Sequence, residues 1–301
     1  MDILSSLGLG RGYLEEIFSD ARSFKADISA GKGILGGKVI ALAFFEPSTR
    51  TYTSLDVAAK RLGASVVGFR SQEETSIAKG ETLSDTIRML DGYADCIAIR
   101  HRYDGAAKLA AEVAESPVIN CGDGRNEHPT QSIVDLYTIM ESFGKIDGLT
   151  YCLMGDLKYS RTTNSLLYAL GQFRPKTVYL SSPAQLGARS EVIDKLGFEC
   201  RKIGDDIDSV IEEVDILYVT RIQKERFTDE IEYKKAKGSY YIDENLVARM
   251  KPEGIVMHPL PRIDEIDRRV DKSKKAMYFE EANNGVPIRM AILKRIFDGG
   301  R

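Results

Sequence analysis

Ser48-Thr49-Arg50-Thr51 places three hydroxyls and a guanidinium in one turn, between the apolar run 39–45 and a helical pattern. Helix N-termini leave backbone N–H groups unpaired and carry partial positive charge, which suits an anion. Hydroxyls, and a guanidinium that forks onto two oxygens, would complete a cup for phosphate. No Gly-x-x-x-x-Gly-Lys precedes the turn, so it is not a nucleotide P-loop. The plainer alternative makes Ser48 a helix cap and Arg50 a solvated surface residue.

Other segments carry chemistry of a different kind. The chain has three histidines, His101, His128 and His258. His128 lies in the polar turn Arg125-Asn126-Glu127-His128-Pro129-Thr130-Gln131. A neutral imidazole there could donate to a substrate carbonyl, and Gln131, one turn on, could read an adjacent NH2; a turn histidine without a role is the alternative. In His258-Pro259-Leu260-Pro261-Arg262 the two prolines should hold the backbone extended and remove two N–H donors. That leaves carbonyls free to grip an amine or amide, or simply a stiff loop. Arg100, Arg161 and Arg221 each follow an apolar run, with Lys158 and Gln223 nearby. Singly each is a solvated charge; converging, they would suit a substrate set with several negative charges. The polar, aperiodic stretch 70–80 carries Ser76 and Lys79 and reads as a surface loop, followed by a capping box at Thr82-Leu83-Ser84-Asp85.

These residues must be positioned by a scaffold, and the pattern of the chain indicates which. Strand-like runs at 38–45, 64–69, 95–99, 117–120, 150–154, 177–181, 214–219 and 254–257 alternate with helical patterns. Leu55, Ala58, Ala59 and Leu62, closed by Gly63, form one such pattern; Ile133, Leu136, Tyr137 and Met140 form another. The alternation argues for an α/β fold of two doubly wound domains, each a mostly parallel sheet flanked by helices. Ligands in such sheets gather beyond the carboxyl ends of the strands, where the singled-out residues fall. A boundary is expected at Gly144-Lys145-Ile146-Asp147-Gly148. The final amphipathic stretch, 280–297, has no strand after it and could bury its apolar face on either domain. Phe45-Glu46-Pro47-Ser48-Thr49-Arg50-Thr51 has a short echo in Gly155-Asp156-Leu157-Lys158-Tyr159-Ser160-Arg161-Thr162, within the reach of chance.

Composition narrows the function classes. The 301 residues include 42 basic and 45 acidic side chains, a near-balance with no field for nonspecific nucleic-acid binding. No apolar run approaches the roughly 20 residues of a membrane helix, and residues near Asp2 do not resemble a signal peptide, so a cytoplasmic location is expected. Cys96, Cys121, Cys152 and Cys200 are not spaced as a zinc or redox motif, so buried reduced thiols and no bound metal are expected.

Taken in order, the motifs resemble those of the aspartate carbamoyltransferase catalytic chains. The resemblance rests on residues 45–51, on Thr75-Ser76-Ile77-Ala78-Lys79-Gly80-Glu81-Thr82, on His128-Pro129-Thr130-Gln131 and on residues 155–162. Thr220-Arg221-Ile222-Gln223-Lys224-Glu225-Arg226 and His258-Pro259-Leu260-Pro261-Arg262 complete it. The first and third motifs belong to carbamoyltransferases in general; the Ser-Lys loop, the Arg-x-Gln-x-x-Arg stretch and the Leu between prolines belong to the aspartate branch. Where the best-studied loop has Lys-Lys-Gly, this chain has Ala78-Lys79-Gly80.

The resemblance implies transfer of a carbamoyl group from carbamoyl phosphate to L-aspartate, in pyrimidine synthesis, with no cofactor. It implies that Ser48, Thr49, Arg50, Thr51, Ser76, Arg100, His128, Gln131, Leu260 and Pro261 bind carbamoyl phosphate. Arg50, Thr51, Arg100, His128 and Gln131 would take part in catalysis. Lys79, Arg161, Arg221 and Gln223 would bind aspartate, aided by Pro259 and Leu260. It further implies a carbamoyl phosphate domain of residues 1–143 with 280–301, the last helix returning to it, and an aspartate domain of residues 144–279. A homotrimer sharing its sites between subunits would follow, alone or with zinc-bearing regulatory chains. Two rival readings stand beside it. Ornithine carbamoyltransferase would be expected to carry His-Cys-Leu-Pro at 258–261; a non-catalytic anion sensor would keep the fold alone.

Overall fold

The computed structural model describes residues 1–75, 79–223, 227, 231, 233 and 236–299. The chain divides into two compact units, Met1–Tyr137 with Asn283–Arg301, and Thr138–Ala282. The division falls inside two helices: α5, Pro129–Phe143, and the last helix of the chain, Tyr278–Asp298.

The first unit is built on four parallel strands, β1 Val39–Phe44, β2 Ser65–Phe69, β3 Cys96–His101 and β4 Val118–Asp123, in the order β2-β1-β3-β4. β1 reads Val-Ile-Ala-Leu-Ala-Phe and is buried on both faces, as a central parallel strand must be. The helices α1 Arg11–Ala26, α2 Thr49–Arg61, α3 Leu83–Asp91 and α4 Ala106–Val113 accompany it. Local chemistry sets their limits. Thr82 caps α3 by accepting the Asp85 N–H at 3.1 Å, and Gly63, at φ 87°, follows the end of α2.

The second unit has five parallel strands: β5 Thr150–Met154, β6 Thr177–Ser181, β7 Cys200–Gly204, β8 Ile216–Val219 and β9 Ile255–Met257. Their order is β7-β6-β5-β8-β9. Among its described residues, helices include α6 Arg161–Leu170, the short α7 Ser190–Ile193 and α8 Glu244–Arg249. A core of Cys152, Val214, Leu217, Val219, Val256 and Tyr278, among others, fills one face.

All eight expected strands are present, with ends shifted by a few residues. β7 is additional. Its sequence, Cys-Arg-Lys-Ile-Gly, has no apolar run because it is an edge strand with half-exposed and exposed positions throughout. The last helix, α9, is Tyr278–Asp298, and its residues from Asn283 onward belong to the first unit. There Arg295 meets Glu16 at 2.6 Å and Asp20 at 2.5 Å on α1, and Lys25 donates to Asn284 at 2.9 Å. The doubly wound α/β architecture, with the final helix returning to the first unit, is thus the one observed. Cys96, Cys121 and Cys152 are buried free thiols, and Cys200 is partly exposed. Among the described residues, no helix is long and apolar enough to cross a membrane.

Gly68 exposes how tightly the first sheet is closed. It pairs with Leu42 at φ 147°, and a Cβ there would lie 2.2 Å from the Leu42 carbonyl oxygen. Gly68→Ala should therefore cost about 2–4 kcal/mol through backbone strain and overpacking, read as a lowered urea midpoint. An unchanged midpoint would contradict this register.

Candidate active site

In the first unit the strand order reverses between β1 and β3, so the loops leaving their carboxyl ends part in opposite directions. A polar opening forms at such a point without any dedicated device. The loop after β1 enters α2, whose first helical bond runs from the Tyr52 N–H to the Ser48 carbonyl at 3.3 Å. The amides of residues 49–51 precede that bond and face out of the helix end. Ser48 does occupy the N-cap position in extended conformation, but its side chain makes no capping bond. Its hydroxyl is thus not consumed by the helix. Thr49 and Arg50 are exposed, whereas Thr51 is buried.

The buried Thr51 meets His128. Its Oγ1 lies 3.3 Å from His128 Nε2, and Thr130 Oγ1 lies 3.3 Å from Nδ1 on the other side of the ring. His128 itself is only 4% exposed, held at the start of α5. Arg100, at the end of β3, donates to the Cys121 carbonyl at 3.2 Å and stands 3.7 Å from the Glu46 carboxylate. Gln131 donates through Nε2 to Asp135 at 2.8 Å, which fixes the orientation of its amide. This unit therefore gathers Thr51 and His128 in contact and holds Arg100 and Gln131 by bonds of their own.

A further cation lies behind this group. Arg289 of α9 is 3% exposed and donates to the Gly285 carbonyl at 3.0 Å. Burial pulls its pKa down to about 10, against the opposing influence of Cys121 and Asp135, with Arg50 close enough to lower it further. It stays charged at neutral pH. Only its position in the apolar run 286–293 marked it in the sequence, as a lone guanidinium among core residues.

In the second unit the order reverses between β5 and β8. Gly155 follows β5 at φ 118°, where a Cβ would lie 2.2 Å from the Thr220 carbonyl oxygen and 2.7 Å from the Tyr240 hydroxyl. Glycine lets the two loops touch. Tyr240 donates its hydroxyl to that same Thr220 carbonyl, next to Arg221. Asp156 is fully buried and accepts the N–H of Tyr159 at 2.9 Å and of Gln223 at 3.3 Å, tying the β5 loop to the β8 loop. Burial pushes its pKa up to about 6, although the amides of Tyr159, Gln223 and Lys158 and the charge of Arg221 pull the other way. Arg161 opens α6 and is 8% exposed, and Ser160 caps that helix. Arg221 donates to the Ile222 carbonyl at 3.3 Å and borders a cavity of about 290 Å³ lined also by Lys237, Tyr240, Asp264 and Glu265.

The His258-Pro259-Leu260-Pro261 segment differs from its expected form. It is not extended throughout, because Leu260 adopts φ 53° and its N–H turns back to His258 Nδ1 at 2.8 Å. The proton of the ring is then on Nε2, 2.7 Å from Glu265, whose other oxygen accepts the Ile263 and Asp264 amides at 3.1 Å each. His258 and Glu265 are both buried. Burial works to raise the Glu265 pKa, but the hydrogen bond from His258 and the backbone amides around it together hold it below its usual value. His258 is thus a brace for the turn that presents Pro259, Leu260 and Pro261.

Lys79 is described and exposed. Ser76 lies outside the described residues, as do Lys224, Glu225 and Arg226 of the Arg-x-Gln-x-x-Arg stretch. The braces Asp135, Asp156, Tyr240 and Glu265 escaped sequence reasoning, since each acts only through what folding brings beside it.

The family described as aspartate/ornithine carbamoyltransferase matches the chain twice: its carbamoyl-P binding domain over residues 1–141 and its Asp/Orn binding domain over residues 147–296. The chain belongs to this family. It is 54% identical over 295 residues to the aspartate carbamoyltransferase catalytic subunit of Sulfolobus acidocaldarius, covering 98% of each chain. With the catalytic subunit of Saccharolobus solfataricus the identity is 55%, covering 98% of this chain and 96% of the relative. Among solved structures, the aspartate transcarbamoylase of Trypanosoma cruzi in complex with carbamoyl phosphate and aspartate superposes with a TM-score of 0.92. That enzyme is 39% identical, over 97% of this chain and 95% of its own. The catalytic subunit of M. jannaschii aspartate transcarbamoylase gives 0.88 at 44% identity, over 99% of this chain and 98% of its own.

Asp156 offers a test of this geometry. A carboxyl whose folded pKa is raised contributes stability below its unfolded pKa of about 4 and loses it as pH rises through about 6. A rise of about two pH units corresponds to about 3 kcal/mol. Relative to the parent, Asp156→Asn should therefore gain about that much unfolding free energy between pH 4 and pH 7. A pH-independent difference between the two proteins would place Asp156 in solvent.

Proposed function

We propose that this chain is the catalytic subunit of an aspartate carbamoyltransferase. It moves the carbamoyl group of carbamoyl phosphate to the amine of L-aspartate, giving N-carbamoyl-L-aspartate and phosphate for pyrimidine synthesis. The observation that carries the reading is the contact of Thr51 with His128 at the mouth of α2, which sets an imidazole beside the hydroxyl turn 48–51. The chain-long identity to aspartate enzymes supports the choice of acceptor.

Residues 1–143 with 280–301 bind carbamoyl phosphate in this account, and residues 144–279 bind aspartate. Ser48, Thr49, Arg50 and Thr51 hold the phosphate, with Ser76. Arg100 bridges phosphate and carbonyl. Thr51, Arg100 and His128 polarise the carbamoyl oxygen, whose charge grows in the tetrahedral intermediate. The Thr130 hydroxyl donating to Nδ1 would leave the His128 proton on Nε2, on the Thr51 side. Gln131 and the carbonyls of Pro259 and Leu260 orient the amide and the amine, and Leu260 and Pro261 border the carbamoyl phosphate. Arg161, Arg221 and Lys79 grip the two carboxylates of aspartate, assisted by Gln223.

The chemistry needs no enzymic nucleophile. The amine nitrogen attacks the carbamoyl carbon, the bond to the phosphate oxygen breaks, and the departing phosphate takes the amine proton. Catalysis then rests on positioning and on donors aimed at the oxyanion, of which one is commonly worth 10²- to 10³-fold in rate. The subunits form a homotrimer with Ser76 and Lys79 contributed to a neighbour's site. The designation of the relatives as catalytic subunits supports a separate regulatory chain; such a chain would carry any zinc itself. The reaction would take place in the cytoplasm.

Carbamoyl phosphate should react with aspartate and not with ornithine, and His128→Ala should lower kcat about 100- to 1000-fold. Transfer to ornithine would move the chain to the other branch of the family; no transfer to either would leave an anion-binding protein. Near-normal turnover by His128→Ala would remove the oxyanion role. Lys79→Ala and Arg50→Ala proteins, each nearly inactive, should regain activity when mixed and reassembled. Hybrid trimers without activity would count against shared sites.

A further inference from the structure

His128 is preceded by a carboxylate, Glu127, that is placed against neither proposed substrate. Glu127 is 4% exposed, and both its oxygens are engaged by the N-terminal segment of the chain. Its Oε1 accepts from the Ser5 hydroxyl at 2.5 Å, and its Oε2 accepts from the Ser6 amide at 2.8 Å. Distances of this order are those of charge-assisted bonds. A buried carboxylate is costly unless its oxygens are satisfied, so the segment and the turn stabilise each other.

The segment is itself anchored to the sheet. Asp2 accepts the Val118 N–H at 2.8 Å, Ile3 pairs with Ile119 in a parallel bridge, and Asn120 donates to the Leu4 carbonyl at 3.0 Å. Residues 2–4 thus extend the sheet beside β4, and Ser5 and Ser6 reach the turn beyond its end. A second connection arrives at α5. The Ser6 and Ser132 hydroxyls lie 2.9 Å apart, and Ser132 also bonds to the Pro129 carbonyl at 2.9 Å. The His128 backbone is therefore held from the residue before it and from four residues after it.

We infer that Glu127 is a positioning residue through which the N-terminal segment, by way of Ser5 and Ser6, sets the His128 ring against Thr51. The inference rests on the oxyanion role given to His128. A single bridge ties the turn to β4, the Asp123 N–H donating to the Glu127 carbonyl at 3.1 Å, and it fixes the backbone before His128 but not the ring. That ring must stay within about 0.5 Å of its working position to donate to a developing charge. The Glu127 carboxylate supplies that constraint from outside the reacting groups, touching neither substrate.

Glu127→Ala should lower kcat about 10- to 100-fold while leaving the KM values for carbamoyl phosphate and aspartate within about twofold. Glu127→Gln should recover most of the loss, because the Ser5 hydroxyl can rotate to accept from the amide while Oε1 accepts the Ser6 N–H. With three histidines in the chain, imidazole NMR reads the ring directly. The His128 resonance should shift in Glu127→Ala and return in Glu127→Gln, with those of His101 and His258 unmoved. Should Glu127→Ala fail to fold, Ser5→Ala carries the same test with a three- to tenfold fall in kcat and a smaller shift. An unchanged kcat together with an unchanged His128 resonance in the folded variant overturns the inference, as does a loss that Glu127→Gln fails to recover. If His128→Ala keeps full activity, the oxyanion reading fails instead, and the resonance alone then decides whether the latch exists.

Discussion

In each sheet the strand order reverses once, between β1 and β3 in the first unit and between β5 and β8 in the second. Parallel strands all end on the same edge, and their connections must cross to one face or the other. Where the order reverses, neighbouring loops leave in opposite directions and cannot cover the strand ends between them. The hydroxyl turn at 48–51 and Arg100 flank the first of these points, and residues 155–161 and Arg221 flank the second. Winding thus decides where these polar groups can gather, while the side chains decide which ligand chemistry suits each point.

Holding polar groups at such points requires charges inside the protein. Asp156, Glu127, Glu265 and Arg289 are all nearly inaccessible. The first three act on backbone amides: Asp156 on those of Tyr159 and Gln223, Glu127 on that of Ser6, Glu265 on those of Ile263 and Asp264. A carboxylate can accept several N–H groups at once, so one buried side chain can fix two loops that share no strand. Its cost is visible in the raised pKa of Asp156. Among the residues proposed to touch substrate, Ser48 makes no capping bond, whereas Arg100 and Gln131 are held by bonds to Cys121 and Asp135.

Much of this was legible in the sequence, for reasons that differ from residue to residue. Central strands such as β1 and β5 announce themselves because both faces are buried and the run is almost entirely apolar. β7 does not, because an edge strand needs no such run. Residues 48–51 stood out as an unusual gathering of hydroxyls with a guanidinium. The prolines at 259 and 261 suggested an extended segment, but the left-handed turn at Leu260 depends on an imidazole and a carboxylate seven residues apart in sequence. Tyr240 and Asp156 meet the Thr220 and Gln223 backbone only after folding, and no spacing rule foretells such a contact.

The central claim is that one switch point holds phosphate and the other holds a dicarboxylate. Succinate keeps the two carboxylates of aspartate but lacks the attacking amine, so it can be held with carbamoyl phosphate without reaction. A crystal structure with both should show the phosphate oxygens on the turn 48–51 and Arg100, the carbamoyl oxygen at Thr51 and His128, and the succinate carboxylates on Arg161 and Arg221. Phosphate bound away from residues 48–51, or succinate bound without either arginine, would contradict the account.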